Sequence, residues 1–197
     1  MREAGRSQLV RLLQLAYSGE LGAALGYRGH AASVADPLER QQIIAIRAEE
    51  LDHRQRVGRL LAAVGGRPDP LLELRNCWLG LLIAAFCHVG GWFLPMYGAG
   101  WIERRNIADY ERAAWLASAC GATACVEELL QLAEAEWEHA RYFRQKAHAH
   151  PLARLLPVWP APPPKTEIRR GFEGRASTPR PAAAVRQPAP PSLVAVG

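Results

Sequence analysis

Glu50-Leu51-Asp52-His53 and Glu136-Trp137-Glu138-His139 are two copies of one spacing, a glutamate three residues ahead of a histidine. Residues three apart on an α-helix share a face, so each copy offers a carboxylate and an imidazole to a common point. A single glutamate stands upstream of each copy, Glu20 before the first and Glu103 before the second. The order Glu, Glu-x-x-His, Glu, Glu-x-x-His is the pattern by which four bundled helices converge four acids and two imidazoles on a pair of metal ions.

The sequence around these residues is helical in period. Over residues 8–32, Leu13, Ala16, Glu20, Ala24, Tyr27 and Ala31 follow the 3-4 spacing of one face. Glu20 thus lies on an apolar stripe, where an unpaired charge is costly. Gly19 and Gly22 beside it suggest a close helix approach. A second helix starts with Asp36 as N-cap, Pro37 in the first turn and Glu39 completing a capping box. Its inward row is Ile43, Ile46, Glu50, His53, Val57 and Leu60, ended by Gly65-Gly66. Asp69-Pro70 restarts the chain by the same logic.

Residues 77–101 contain no Asp, Glu, Lys or Arg, and His88 is their sole side chain that ionises near neutral pH. The length approaches a membrane span, but Gly90-Gly91 and Pro95 interrupt it. The expectation is a broken helix, buried or lying on a membrane surface, and not a transmembrane one. Helical pattern resumes near Tyr97 and runs towards Ala119 with Glu103, Ile107, Tyr110 and Ala114 on one face. After Gly121 a last helix over about 123–148 turns Leu129, Leu132, Glu136, His139 and Phe143 inward.

Composition sets the outer limits. The 197 residues suit one domain with an appendage. The net charge of +5 belongs to residues 151–197, which hold seven Lys/Arg against two Glu, while residues 1–150 hold 17 of each sign. The balanced part is therefore no nucleic-acid binder. Eleven of the 15 prolines also fall in 151–197, and a segment of that composition is expected to be disordered. Cys77, Cys87, Cys120 and Cys125 lack C-x-x-C spacing and secretory context, which suits reduced thiols. With no signal peptide visible, a cytoplasmic protein is expected, peripheral on the membrane if the apolar tract touches lipid.

Hard carboxylates and borderline imidazoles suit iron, with manganese as an alternative. Four glutamate charges balance two divalent ions, which offsets the cost of burying the acids together. By analogy with other two-metal sites the ions would sit roughly 3.5–4 Å apart. Glu50 and Glu136 would bridge them, Glu20 and Glu103 would each hold one terminally, and His53 and His139 would give one nitrogen apiece. Glu49, Glu134 and Glu138 lie one or two places off the stripes and suit surface or supporting roles. Tyr110, two turns after Glu103, either hydrogen-bonds a ligand or is a core tyrosine. His30 and His88 lack partner spacing and are expected to be ordinary core or surface histidines.

The segment Ser18-Gly19-Glu20-Leu21-Gly22-Ala23 resembles the G-E-x-G-A segment of the demethoxyubiquinone hydroxylases, ferritin-like di-iron monooxygenases. The E-x-x-H about thirty residues later, the apolar third region with Glu103 and Tyr110, and the fourth-helix Glu136/His139 extend the resemblance over residues 8–148. It differs at Ala108-Asp109, where that family tends to histidine, and in the wording of residues 90–101. The spacing and the resemblance together imply an all-α, ferritin-like four-helix bundle over residues 1–150 with a broken third helix. The tail over 151–197, disordered by its composition, stands where that family continues into further C-terminal helices. The resemblance further implies hydroxylation of a lipophilic quinone precursor with O2, electrons ultimately from NADH, at a peripheral membrane surface, and leaves room for a homo-oligomer. A ferritin-like metal-binding or ferroxidase protein without hydroxylase activity is the alternative, and an adaptor whose basic tail contacts anionic lipid is a third.

Overall fold

Two aspartate caps set the register of the first half. Asp36 accepts the backbone N–H groups of Leu38 and Glu39, and Asp69 those of Leu71 and Leu72, each with a proline at the start of the helix it opens. The computed structural model describes residues 2–156 and 158–177. It is all-helical, with no strand among the described residues. The elements are α1 (Arg2–Ser33), α2 (Pro37–Ala63), α3 (Pro70–Cys87), α4 (Phe93–Cys120), α5 (Val126–Ala149) and α6 (Thr166–Ser177), with 3-10 turns at Thr123–Cys125 and Pro151–Arg154.

Helix α1 packs against α2, α3 and α4, and α4 against α5. The result is two helical hairpins, α1–α2 and α4–α5, held face to face. Leu9, Leu13, Val57, Leu60, Ile107, Ala113, Leu129 and Leu132 form one apolar cluster. Tyr27, Ala31, Ile43, Ile46, Met96 and Phe143 form another. Along each of the four helices the sequence-predicted acids and imidazoles fall between these two clusters. The polar layer is therefore sealed above and below by hydrocarbon.

Several expectations need correction. Helix α1 begins at Arg2, two turns before residue 8, and Arg6 donates to the Val64 carbonyl at the end of α2. The Asp36 capping box is half formed: Glu39 accepts from Trp92 and Lys146 instead of reaching back to its own cap. Residues 77–101 do not form one broken helix. Gly90 and Gly91 lie in the turn between α3 and α4, where Gly91 has φ 67°. Pro95 does not break the chain, because it sits in the first turn of α4, where no intrahelical N–H bond is due.

Helix α3 is thus a separate fifth helix laid along α1. Gly22 lets the Asn76 carbonyl approach to 2.9 Å of where a Cβ would stand, and Gly29 makes the same room for the backbone of Ala84. The close approach foreseen at Gly22 is real, whereas Gly19 meets nothing. Only Leu72, Gly80 and Cys87 of α3 are buried, and Leu71, Leu74, Trp78 and Leu82 are exposed. By length and composition α3 is apolar enough to cross a membrane.

The segment after residue 150 also departs from expectation. Trp159 is 6% exposed, packed on Phe93 and Ala147, edge-on to Tyr97 and over Gly100. Ile168 of α6 is buried in the main cluster, and Arg169 bridges Glu127 and Glu134 of α5. Composition missed this because one tryptophan buries about 150–250 Å², enough to tie down a proline-rich strap. Residues 178–197 of the expected disordered tail lie outside the described residues. All four cysteines are free thiols. Replacing Trp159 by Ala is expected to destabilise the fold by about 3 kcal/mol or more, read as a lowered denaturation midpoint. An unchanged midpoint would mean that the strap does not pack.

Candidate metal centre

All six residues singled out from spacing come together in the layer between the two apolar clusters. Glu20 from α1, Glu50 and His53 from α2, Glu103 from α4, and Glu136 and His139 from α5 are all buried. Two overlapping groups arise, Glu20/Glu50/His53/Glu136 and Glu50/Glu103/Glu136/His139, each with ligand atoms within 4.8 Å of one another. Glu50 and Glu136 belong to both groups, and each group has besides them one unshared glutamate and one imidazole. The two rings stack at 5.7 Å. His53 Nδ1 lies 3.0 Å from Glu136 Oε1, and His139 Nδ1 lies 3.1 Å from Glu50 Oε1.

Two tyrosines cross between the hairpins. Tyr110 donates to Glu20 Oε1 and Tyr27 donates to Glu103 Oε1. Each tyrosine stands seven residues after one terminal glutamate and serves the other. Tyr110 is thereby both a core residue and a carboxylate partner. The role of Tyr27 was missed in the sequence, where it counted only as part of the apolar stripe; its seven-residue offset from Glu20, matching that of Tyr110 from Glu103, was the available signal. Asn106 was also missed: it donates to Glu103 Oε2 at 3.1 Å and Glu136 Oε2 at 3.3 Å. Its position three after Glu103 places it on the same face. Glu49 accepts from His139 Nε2 at 2.5 Å, the supporting role allowed for it. Glu134 and Glu138 face Arg169 and Lys165 at the surface.

His30 is buried without a partner for Nε2, stacked on Tyr27 and Phe143. Burial lowers its pKa to about 4, so it is a neutral core histidine. His88 is exposed.

The layer is electrostatically frustrated without cations. Burial first, then repulsion from neighbouring carboxylates, pushes Glu50 and Glu103 well above the ordinary range. Burial raises Glu136 to about 7. Burial alone would lower His139, but the Glu49 hydrogen bond and the surrounding carboxylates outweigh it and raise the ring to about 9. His53 is lowered, chiefly by burial. Burial, then the adjacent carboxylates, drive both tyrosines up, so their hydroxyls stay protonated donors.

The donor set fits two metal ions. Both oxygens of Glu50, Glu20 Oε2 and His139 Nδ1 are buried with no hydrogen-bond partner, an arrangement that costs about 1–3 kcal/mol per atom when nothing occupies the centre. These are the atoms the ligand reading needs free. A cavity of about 600 Å³ between α1, α3 and α4 reaches Glu20, Glu103, Tyr27 and Tyr110, with walls that include Ile83 and Phe86. No protein-family model, curated protein or solved structure matches the chain.

A pH dependence follows for the metal-free protein. Above about pH 7.5 His30 and His53, whose folded values are lowered, are neutral in both folded and unfolded chains. His139, raised to about 9, holds its proton there and Glu136, raised to about 7, holds one in part, protons that the unfolded chain has released. Glu50 and Glu103 are shifted in the same direction. Stability therefore falls as pH rises. The melting temperature of metal-free protein is expected to drop by several degrees between about pH 7.5 and about 9, while metal-loaded protein holds or gains stability because its ligands bind deprotonated. A flat metal-free profile would contradict this electrostatic picture.

Proposed function

We propose that the chain is a ferritin-like four-helix bundle whose centre holds two iron ions, and that it hydroxylates a lipophilic quinone-type molecule with O2. What supports the reading above all is the pairing of two ligand groups that share Glu50 and Glu136 with a largely apolar cavity ending at Glu20 and Glu103. Glu20, Glu50, His53, Glu103, Glu136 and His139 would hold the metals. Bound iron would supply the dioxygen chemistry that side chains lack.

The chain's own part is binding, orientation and exclusion of water. The cavity walls along α1, α3 and α4 favour a planar apolar ring by burial. Tyr27 and Tyr110 fix the terminal carboxylates, and their protonated hydroxyls stand where the cavity meets those acids. The hydrocarbon clusters on either side keep bulk water from the layer, which strengthens every polar contact within it. Leu79 and Phe86 of α3 are exposed and also line the cavity, and the apolar face beside them, with Trp78 62% exposed, suits a cytoplasmic membrane surface from which a lipophilic substrate would enter. Electrons would come ultimately from NADH, as the resemblance implies.

Glu50→Ala and Glu136→Ala, each removing a shared ligand, are expected to lose metal binding and turnover together; full activity in either would overturn the assignment. The alternative, a metal-binding or ferroxidase protein without hydroxylase activity, has no use for the cavity. Gly98 lines that cavity, and a Cβ there meets nothing within 4 Å. Gly98→Phe is expected to keep iron binding while abolishing hydroxylation of a quinol precursor. Iron oxidation without any hydroxylated product in the unaltered protein would favour the alternative.

A further inference from the structure

The two halves of the centre match in their ligands but not in what stands behind them. In the half built on Glu103 and His139, both unshared ligands are anchored from outside. Glu103 accepts from Tyr27 on one oxygen and from Asn106 on the other. His139 donates through Nε2 to Glu49, which leaves its buried Nδ1 free and facing the shared Glu50. A carboxylate behind a ligating imidazole fixes the ring's tautomer and orientation and makes the ligand more basic.

The half built on Glu20 and His53 has less support. Glu20 is held by Tyr110 through one oxygen, and its other oxygen is a buried orphan. Among the described residues nothing hydrogen-bonds His53 Nε2. The place corresponding to Glu49, immediately ahead of the E-x-x-H glutamate, is Ala135 in α5. The place corresponding to Asn106, three after the terminal glutamate, is Ala23 in α1. The charged neighbour one turn beyond His53 is Arg56, itself paired with Glu128 at 2.6 Å. One ring is backed by a hydrogen-bonded anion, and the other has no such anion behind it among the described residues.

We propose that Glu49 is a positioning residue that makes the Glu103/His139 half the tighter of two metal positions, so the chain loads divalent cations one after the other. This rests on the dinuclear reading above. Glu49 is well suited to the role because its side chain is 56% exposed. It can be altered without opening the core, and it brings negative charge to the imidazole from the solvent side. The two ions are therefore inequivalent by construction, and the position beside Glu20 and His53, with its spare carboxylate oxygen, is the one left more open to exchange.

Titration of the metal-stripped full-length chain with Mn(II), followed by calorimetry and by electron paramagnetic resonance, tests this. Two binding events are expected, the first at least about 10-fold tighter than the second. Glu49→Gln is expected to weaken the first event about 10-fold or more and to shift the resonance of the singly loaded protein. Ala135→Glu, which supplies the missing carboxylate, is expected to tighten the second event. Glu138→Gln, a neighbouring surface change, should leave both untouched. Two equal events in the unaltered chain, or an unchanged isotherm in Glu49→Gln, would overturn the inference while leaving the dinuclear centre standing. Absence of any Mn(II) uptake would overturn both.

Discussion

Four carboxylates enclosed in a helical core are the constraint around which this molecule is arranged. Any one of them buried alone would be protonated or expelled. Four together, with Glu50 Oε1 3.1 Å from the His139 ring and both Glu50 oxygens short of a hydrogen bond, form a layer whose donor atoms suit cations. The fold spends its best-packed residues on either side of this layer, from Leu9, Leu13 and Leu129 at one end to Ile43, Met96 and Phe143 at the other. Close packing around a costly polar layer holds its six side chains in place, the condition for a preorganised site.

The hairpins explain how a single chain achieves that. Each contributes a lone glutamate, an E-x-x-H helix and a tyrosine seven residues past the lone glutamate. Each tyrosine reaches across to the opposite hairpin, so the hydrogen bonds that orient the terminal carboxylates also tie the hairpins together. Departures from that symmetry, at Glu49 against Ala135 and Asn106 against Ala23, fall at positions that touch ligands and not at the ligands themselves. Helix α3 stands outside the scheme: glycine contacts fasten it to α1, and it closes one side of the cavity while leaving most of its hydrocarbon uncovered.

Much of this was legible in the sequence because helical period is a strong signal where charged residues interrupt apolar stripes. Glu20, Glu50, His53, Glu103, Glu136 and His139 all announced themselves in that way, as did the caps at Asp36 and Asp69. The ring and amide contacts were harder to see. Tyr27 passes for an ordinary stripe residue, and Asn106 sits among Arg104, Arg105 and Asp109 as if on a solvated face. The start of α4 at Phe93 was hidden because Pro95 reads as a breaker, although proline in a first turn starts a helix as readily as it stops one. The packed strap at 158–177 was hidden by average composition, which dilutes single residues such as Trp159 and Ile168 that do the anchoring.

Iron content and Mössbauer spectra of the protein produced in iron-rich medium put the dinuclear centre to the test. Two irons per chain, giving the signature of one exchange-coupled pair, is the result expected. Protein that takes up no iron, or holds it only as isolated, loosely bound ions, would mean that the buried carboxylates serve some other end.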